Sequence, residues 1–68
     1  MEDADLENAL KVFRVNTQLF PDAWNTYDSY GECLFAAGDT LNGMKAYAKS
    51  LELNPENNTA RGILKTTR

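Results

Sequence analysis

The chain has 68 residues, ten acidic against seven basic for a net charge of −3, with one cysteine and no histidine. That length makes one small domain, which buries only about 60% of the surface its unfolded form exposes and is marginal unless helix packing, oligomerisation or a larger host supports it. One cysteine forms no internal disulfide, the absence of histidine removes the usual ligands of a protein-only zinc site, and the acidic balance argues against nucleic acid.

The first element reads as a helix. Asp5 is placed to cap the run "LENALKVFRVNTQLF". Ala9, Leu10, Phe13, Thr17 and Phe20 recur at steps of three and four, which is one helical face. Pro21 ends this helix or opens the next. The second helix is expected from about Asp22 to Ala37, with Ala23, Tyr27, Tyr30, Leu34 and Ala37 on its apolar stripe. Gly38 ends it as a residue free to take positive φ. Asp39 caps a third helix, Thr40 to Leu53, whose stripe is Met44, Tyr47, Ala48 and Leu51. "NPEN" is a turn, with Asn54 held extended by Pro55. A fourth helix, Glu56 to Thr66, carries Ala60, Ile63 and Leu64. Valine and isoleucine total only three, and nothing alternates with period two, so no strand is expected. The fold class is all-α. The expected core is Phe13, Tyr27, Tyr30, Leu34, Met44, Tyr47, Leu51 and Leu64.

The chain repeats itself at an offset of 34. "ADLENALKVFRVNTQLFPDA" falls on "GDTLNGMKAYAKSLELNPEN". Asp5 meets Asp39, Asn8 meets Asn42, Lys11 meets Lys45, Leu19 meets Leu53 and Pro21 meets Pro55. Ala9 meets Gly43, Leu10 meets Met44 and Phe13 meets Tyr47. Such a period, with its punctuation residues in step, signals a helical repeat.

The residues Tyr27, Tyr30-Gly31, Leu34, Gly43, Tyr47 and Pro55 resemble the tetratricopeptide repeat in their spacing. Tyr27 stands for the usual Trp, Tyr30 for Leu and Gly43 for Ala. The resemblance implies an antiparallel α-α superhelix of about four helices: a half-repeat helix over 5–20, a complete repeat over 24–57 and a capping helix over 58–66. It implies close approach of the paired helices at Gly31 and Gly43. It also implies a ligand groove on the concave face, built from Asn25, Asp28, Glu32, Phe35 and Ala36, and extended by Thr59 and Gly62. A narrower resemblance joins "VFRVNTQLFPDAWNTYDSYGECLFAAGD" to repeats at the C-terminal ends of some bacterial serine hydrolases and peptidases. It implies a bacterial origin, and the alternative that this chain is an accessory segment of a larger enzyme.

Chemistry of its own is not expected. A nucleophilic cysteine needs a base, usually histidine. Glu32 lies roughly 100° around the helix from Cys33 and does not face it. Cys33 therefore reads as a packed structural thiol. The four glycines are scattered at repeat positions and form no phosphate loop. "NNT" at 57–59 matches a glycosylation sequon, but a helix start after Asn57 favours a cap. No cofactor is expected.

Partners are read from charge. Asp28 and Glu32, four apart, point the same way. They either face a basic or amide-rich segment, with Phe35 as apolar anchor, or only solvate an exposed helix. Glu2, Asp3, Asp5 and Glu7 crowd the start, while Arg61, Lys65 and Arg68 crowd the end. This is either helix-dipole complementarity or an interaction patch. A single repeat with two half-units leaves Leu6, Leu10 and Phe13, and the Ile63–Leu64 side, short of cover, so a homodimer or larger assembly is expected. No run of about 18 apolar residues exists, so no membrane span is expected. The acidic start is not a secretory signal. The expected compartment is the cytoplasm, unless the chain is a fragment of an exported protein.

Overall fold

The computed structural model describes residues 3–66, and the side chains of residues 5–66. Glu2 and Arg68, counted in the charge asymmetry, lie outside the described residues. The fold is all-α: α1 (Asp3–Leu19), α2 (Trp24–Ala36), α3 (Thr40–Leu53) and α4 (Asn58–Thr66). Among the described residues there is no strand. Three short turns send each helix back along its predecessor, and each helix packs on the next, with the α2–α3 contact the most extensive.

The turns explain the boundaries. At the end of α2, the Gly38 N–H donates to Phe35 O (3.0 Å) and the Asp39 N–H to Leu34 O (2.9 Å). Gly38 sits at φ +85. This is a Schellman close, which satisfies the last carbonyls and needs a residue at ease with positive φ. Asp39 then caps α3, as its sequence position implies. The Asn42 N–H donates to its Oδ1 (3.2 Å) and the Asn42 side-chain amide to its Oδ2 (2.8 Å). These two bonds, amide first, hold the Asp39 carboxyl below the usual carboxylate range.

The other starts differ from expectation by two residues. α1 begins at Asp3, so Asp5 lies inside it and does not cap it. α2 begins at Trp24, because Pro21 and Asp22 are used in a turn closed by the Ala23 N–H on Phe20 O (3.1 Å). α4 begins at Asn58, because Asn57 is its cap: the Ala60 N–H donates to Asn57 Oδ1 (3.2 Å). The two proline turns are built alike at the 34-residue offset. Phe20 N–H to Asn16 O (2.9 Å) repeats as Asn54 N–H to Ser50 O (2.9 Å). Ala23 N–H to Phe20 O (3.1 Å) repeats as Asn57 N–H to Asn54 O (3.0 Å).

The core sits between α2 and α3. Each helix offers a glycine and receives an aromatic ring from its partner. The Tyr47 ring lies on Gly31, where an added Cβ would stand 2.9 Å from Tyr47 Cδ2. The Phe35 ring lies on Gly43, where an added Cβ would overlap it. The two rings meet edge to face, with centroids 5.4 Å apart and planes at 80°, a favoured quadrupolar arrangement. Leu34 and Tyr47 are buried, as expected of core residues. Phe13, Tyr27, Tyr30, Met44, Leu51 and Leu64 are only half-buried. Cys33, Ala46 and Ala60 complete the buried apolar set. In so small a domain the large side chains keep one flank in water, and small residues fill the interior.

Gly43 gives a test. Alanine there gains about 1 kcal/mol of helix propensity but drives a methyl into the Phe35 ring, and such overpacking costs about 1–3 kcal/mol. Gly43→Ala is expected to destabilise wild type in urea unfolding. In a Phe35→Ala background, with the ring gone, the same change is expected to cost clearly less, the remaining close neighbour of the added Cβ being the Gly31 carbonyl at 3.3 Å. Equal effects in both backgrounds would remove Phe35 from the Gly43 seat.

Candidate functional site

Asn25, Asp28 and Glu32 lie along α2 beside the Tyr47–Phe35 contact, with the Asp28 and Glu32 carboxylates close enough to act on the Tyr47 phenol. Asn25 and Glu32 are exposed, and Asp28 is half-buried. Asp28 is partly engaged: Asn57 Nδ2 donates to its Oδ1 at 3.3 Å. The same Nδ2 donates to Ser50 Oγ at 2.8 Å. Ser50 is 0% exposed. One side chain therefore caps α4 with its oxygen and ties α4 to α2 and α3 with its nitrogen. That nitrogen is the atom an N-glycan would occupy, so the folded chain does not present "NNT" as an acceptor. Thr59 is exposed in the first turn of α4, two residues beyond this link.

Asn57 was legible as a cap, but its role as a three-helix link was not. Nothing in the sequence marks that role: Ser50 needs a partner only because the fold dehydrates it. Among the described residues no buried side-chain nitrogen or oxygen lacks one.

Phe35 does not stand with the other groove candidates. Its ring turns into α3, because Gly43 leaves the space and Tyr47 offers a ring edge. Ala36 and Gly62 are exposed, and nothing lies within 4 Å of a Cβ added at Gly62. The resulting surface is small and acidic, with Asp28 and Glu32 on one side of α2. Tyr47 lies beneath it, 3% exposed. Burial first, then the Asp28 and Glu32 carboxylates, hold its phenol above the ordinary value.

Cys33 lies on the opposite flank of α2 and is 9% exposed. Burial pushes its thiol up, and the Glu32 carboxylate adds to the rise. It lines a cleft of about 240 Å³ between α1 and α2, with Leu6, Ala9 and Phe13 on one wall, Ser29 and Ala36 on the other, and Glu32 alongside. Of the residues named as an association surface, Leu6, Leu10, Phe13, Ile63 and Leu64 are all half-buried. The more exposed apolar side chains of α1 are Val12, Val15 and Leu19, with Phe20 just beyond. Among the described residues no group of three or more His, Cys, Asp or Glu is gathered to hold a metal ion. None of the described helices is long and apolar enough to cross a membrane.

Compared with protein-family models, with curated proteins and with solved structures, the chain finds no match.

Two outcomes check this geometry. Asn57→Ala removes a cap and leaves Ser50 without its side-chain donor, and such losses cost about 1–3 kcal/mol. It is expected to lower the urea midpoint clearly more than Asn58→Ala, one residue on. Equal midpoints would contradict the three-helix link. Cys33 is expected to react with a thiol reagent far more slowly in the native than in the denatured chain at neutral pH. Its raised pKa keeps it protonated there, so native labelling should accelerate only as the pH climbs above the ordinary thiol value.

Proposed function

We propose that this chain is a non-catalytic protein-interaction module of the tetratricopeptide type, cytoplasmic and associating with itself. The observation that carries the reading is the structural repetition at 34 residues: two proline turns with the same backbone bonds, flanking a helix pair seated on glycines. Repeats of this kind stack neighbours to bury a continuous core and present one face to a ligand. The presented face here is Asn25, Asp28 and Glu32 on α2, with Thr59 on α4. It carries two carboxylates and no cation. It repels a carboxylate ligand and suits a peptide with lysine, arginine or amide side chains. No residue on it has the base or nucleophile pairing that catalysis needs. Self-association as a dimer or larger draws on Leu6, Leu10 and Phe13 of α1 and on the Ile63–Leu64 side of α4.

The peptide face is tested with two fluorescent peptides of equal length, one lysine- and arginine-rich, the other acidic. Anisotropy should show binding of the basic peptide alone, weakening as salt is raised. Glu32→Lys and Asn25→Lys change exposed residues and should weaken it several-fold without unfolding the chain. Asp28 is a poorer target, because its loss also breaks the bond from Asn57. Equal binding of both peptides, or no response to either substitution, would count against an acidic recognition face.

A further inference from the structure

The internal repeat supplies its own control for what α1 lacks. At the 34-residue offset, one stripe of α1 corresponds to one stripe of α3. Ala46 on α3 is 7% exposed, whereas its counterpart Val12 is 57% exposed. Leu53 is half-buried, whereas Leu19 is 65% exposed. Ser50 and Gly43 are buried, whereas Asn16 and Ala9 are only half-buried. Asp39 is half-buried, whereas Asp5 is exposed. The same stripe is thus covered on α3 and open on α1. On α3 the cover comes in part from α2, whose C-terminal half lays Phe35 on Gly43. Among the described residues no helix precedes α1 to do the same.

The charges indicate what fits there. The cleft beside the open stripe has Glu32 in its lining, and exposed Asp5 stands at the head of the stripe itself. Continuing the repeat places on α1 a helix running antiparallel to it, as α2 runs to α3, with its C-terminal end beside the start of α1. The equivalents of Tyr27 and Gly31, the α2 positions around this contact, are Arg61 and Lys65 on α4. Because Lys65 is not a glycine, a covering α4 cannot sit as close on α1 as α2 does on α3 at Gly31, and the long side chains of Arg61 and Lys65 span the wider gap. Both are exposed, and Lys65 lies in the last turn of its helix. Arg61 donates to Pro55 O and to Asn58 Oδ1 (3.5 Å) within its own element, and is not paired to a carboxylate there. In the sequence Glu2 and Asp3 add to the acidic end, and Arg68 to the basic one.

We infer that copies of this chain join head to tail, the basic face of α4 in one copy packing into the α1–α2 cleft of the next. Lys65 of one copy reaches Asp5 and Glu32 of the other, and its aliphatic stem covers Phe13. This inference rests on the self-association in the reading above and gives it an interface. Because the contact joins two different surfaces, it does not close on itself by two-fold symmetry, and further copies can add at either end.

The test is sedimentation of the wild-type chain over a range of concentrations and salt. The expected result is a mean mass that keeps growing with concentration and falls with salt, as the Debye length shrinks from about 30 Å at 0.01 M to about 3 Å at 1 M. Two variants are made, Asp5→Lys and Lys65→Glu, each at an exposed position and clear of Asn25 and Asp28. Each alone should weaken association by roughly tenfold. Mixed together they should restore it, because the basic tail of the first then meets the acidic head of the second, and the reverse. Circular dichroism confirms that each is folded. If either is not, the wild-type salt and concentration series decides. A fixed, salt-insensitive dimer, or variants that associate like wild type, would overturn the head-to-tail contact and leave self-association standing. A wild-type monomer throughout would overturn both.

Discussion

The exchange of rings and glycines between α2 and α3 is the contact on which the rest of the structure hangs. Gly31 takes Tyr47 and Gly43 takes Phe35, and the two rings touch edge to face. Each glycine lowers helix propensity by roughly 0.5–1 kcal/mol. In return two aromatic side chains, a large apolar payload for a short chain, pack against the opposing backbone at the two glycines. The pair is closed at one end by the Schellman turn at Gly38 and the Asp39 cap, so the two helices come with their register set. α1 then packs on α2, and α4 on α3.

The polar counterpart is Asn57. A domain this size has little apolar area with which to fix a nine-residue helix such as α4. It uses one amide instead, bonded to Ser50 and Asp28 while its oxygen caps the helix. Buried amides are costly when unmatched and specific when matched. The start of α4 is thereby tied to both α2 and α3. The acidic face beside it inherits that order, since Asp28 belongs to both.

The sequence carried the architecture because punctuation is local. Gly38, Asp39, Pro21 and Pro55 act on their own neighbours, and the structure honours each of them. The hairpin's glycines were legible as close approaches for the same reason. What each glycine would receive was not. Phe35 has the spacing of a surface anchor, and only the hollow at Gly43 on another helix turns its ring inward. The starts of α2 and α4 fall two residues later than the pattern predicts because a proline turn and a cap compete for the same few positions, and sequence alone does not rank them. The Asn57 link joins residues seven and twenty-nine apart in sequence, a separation at which pattern carries no information. For the candidate face, the carboxylates were legible by their spacing. Their unequal status was not: Asp28 is built into the fold, and Glu32 is free at the surface.

The same repeat that makes the fold legible also exposes its imbalance. α1 and α3 share a pattern, yet only α3 is covered on the stripe running from Asp39 to Leu53. Had that stripe of α1 been polar throughout, the helix would read as a finished cap, since terminal repeats of stacked folds carry a polar outer face. It exposes Val12 and Leu19 instead, among charged neighbours such as Lys11 and Arg14. A residue such as Val12, left mostly in water where its counterpart Ala46 is dry, gives up transfer free energy that a covering helix would recover, about 25 cal/mol per Å² of apolar surface. Apolar character alone would make α1 indiscriminate. In the head-to-tail contact proposed above, Asp5 at one end of the stripe and Glu32 across the cleft would select a cationic helix, while Val12 and Leu19 would supply the attraction.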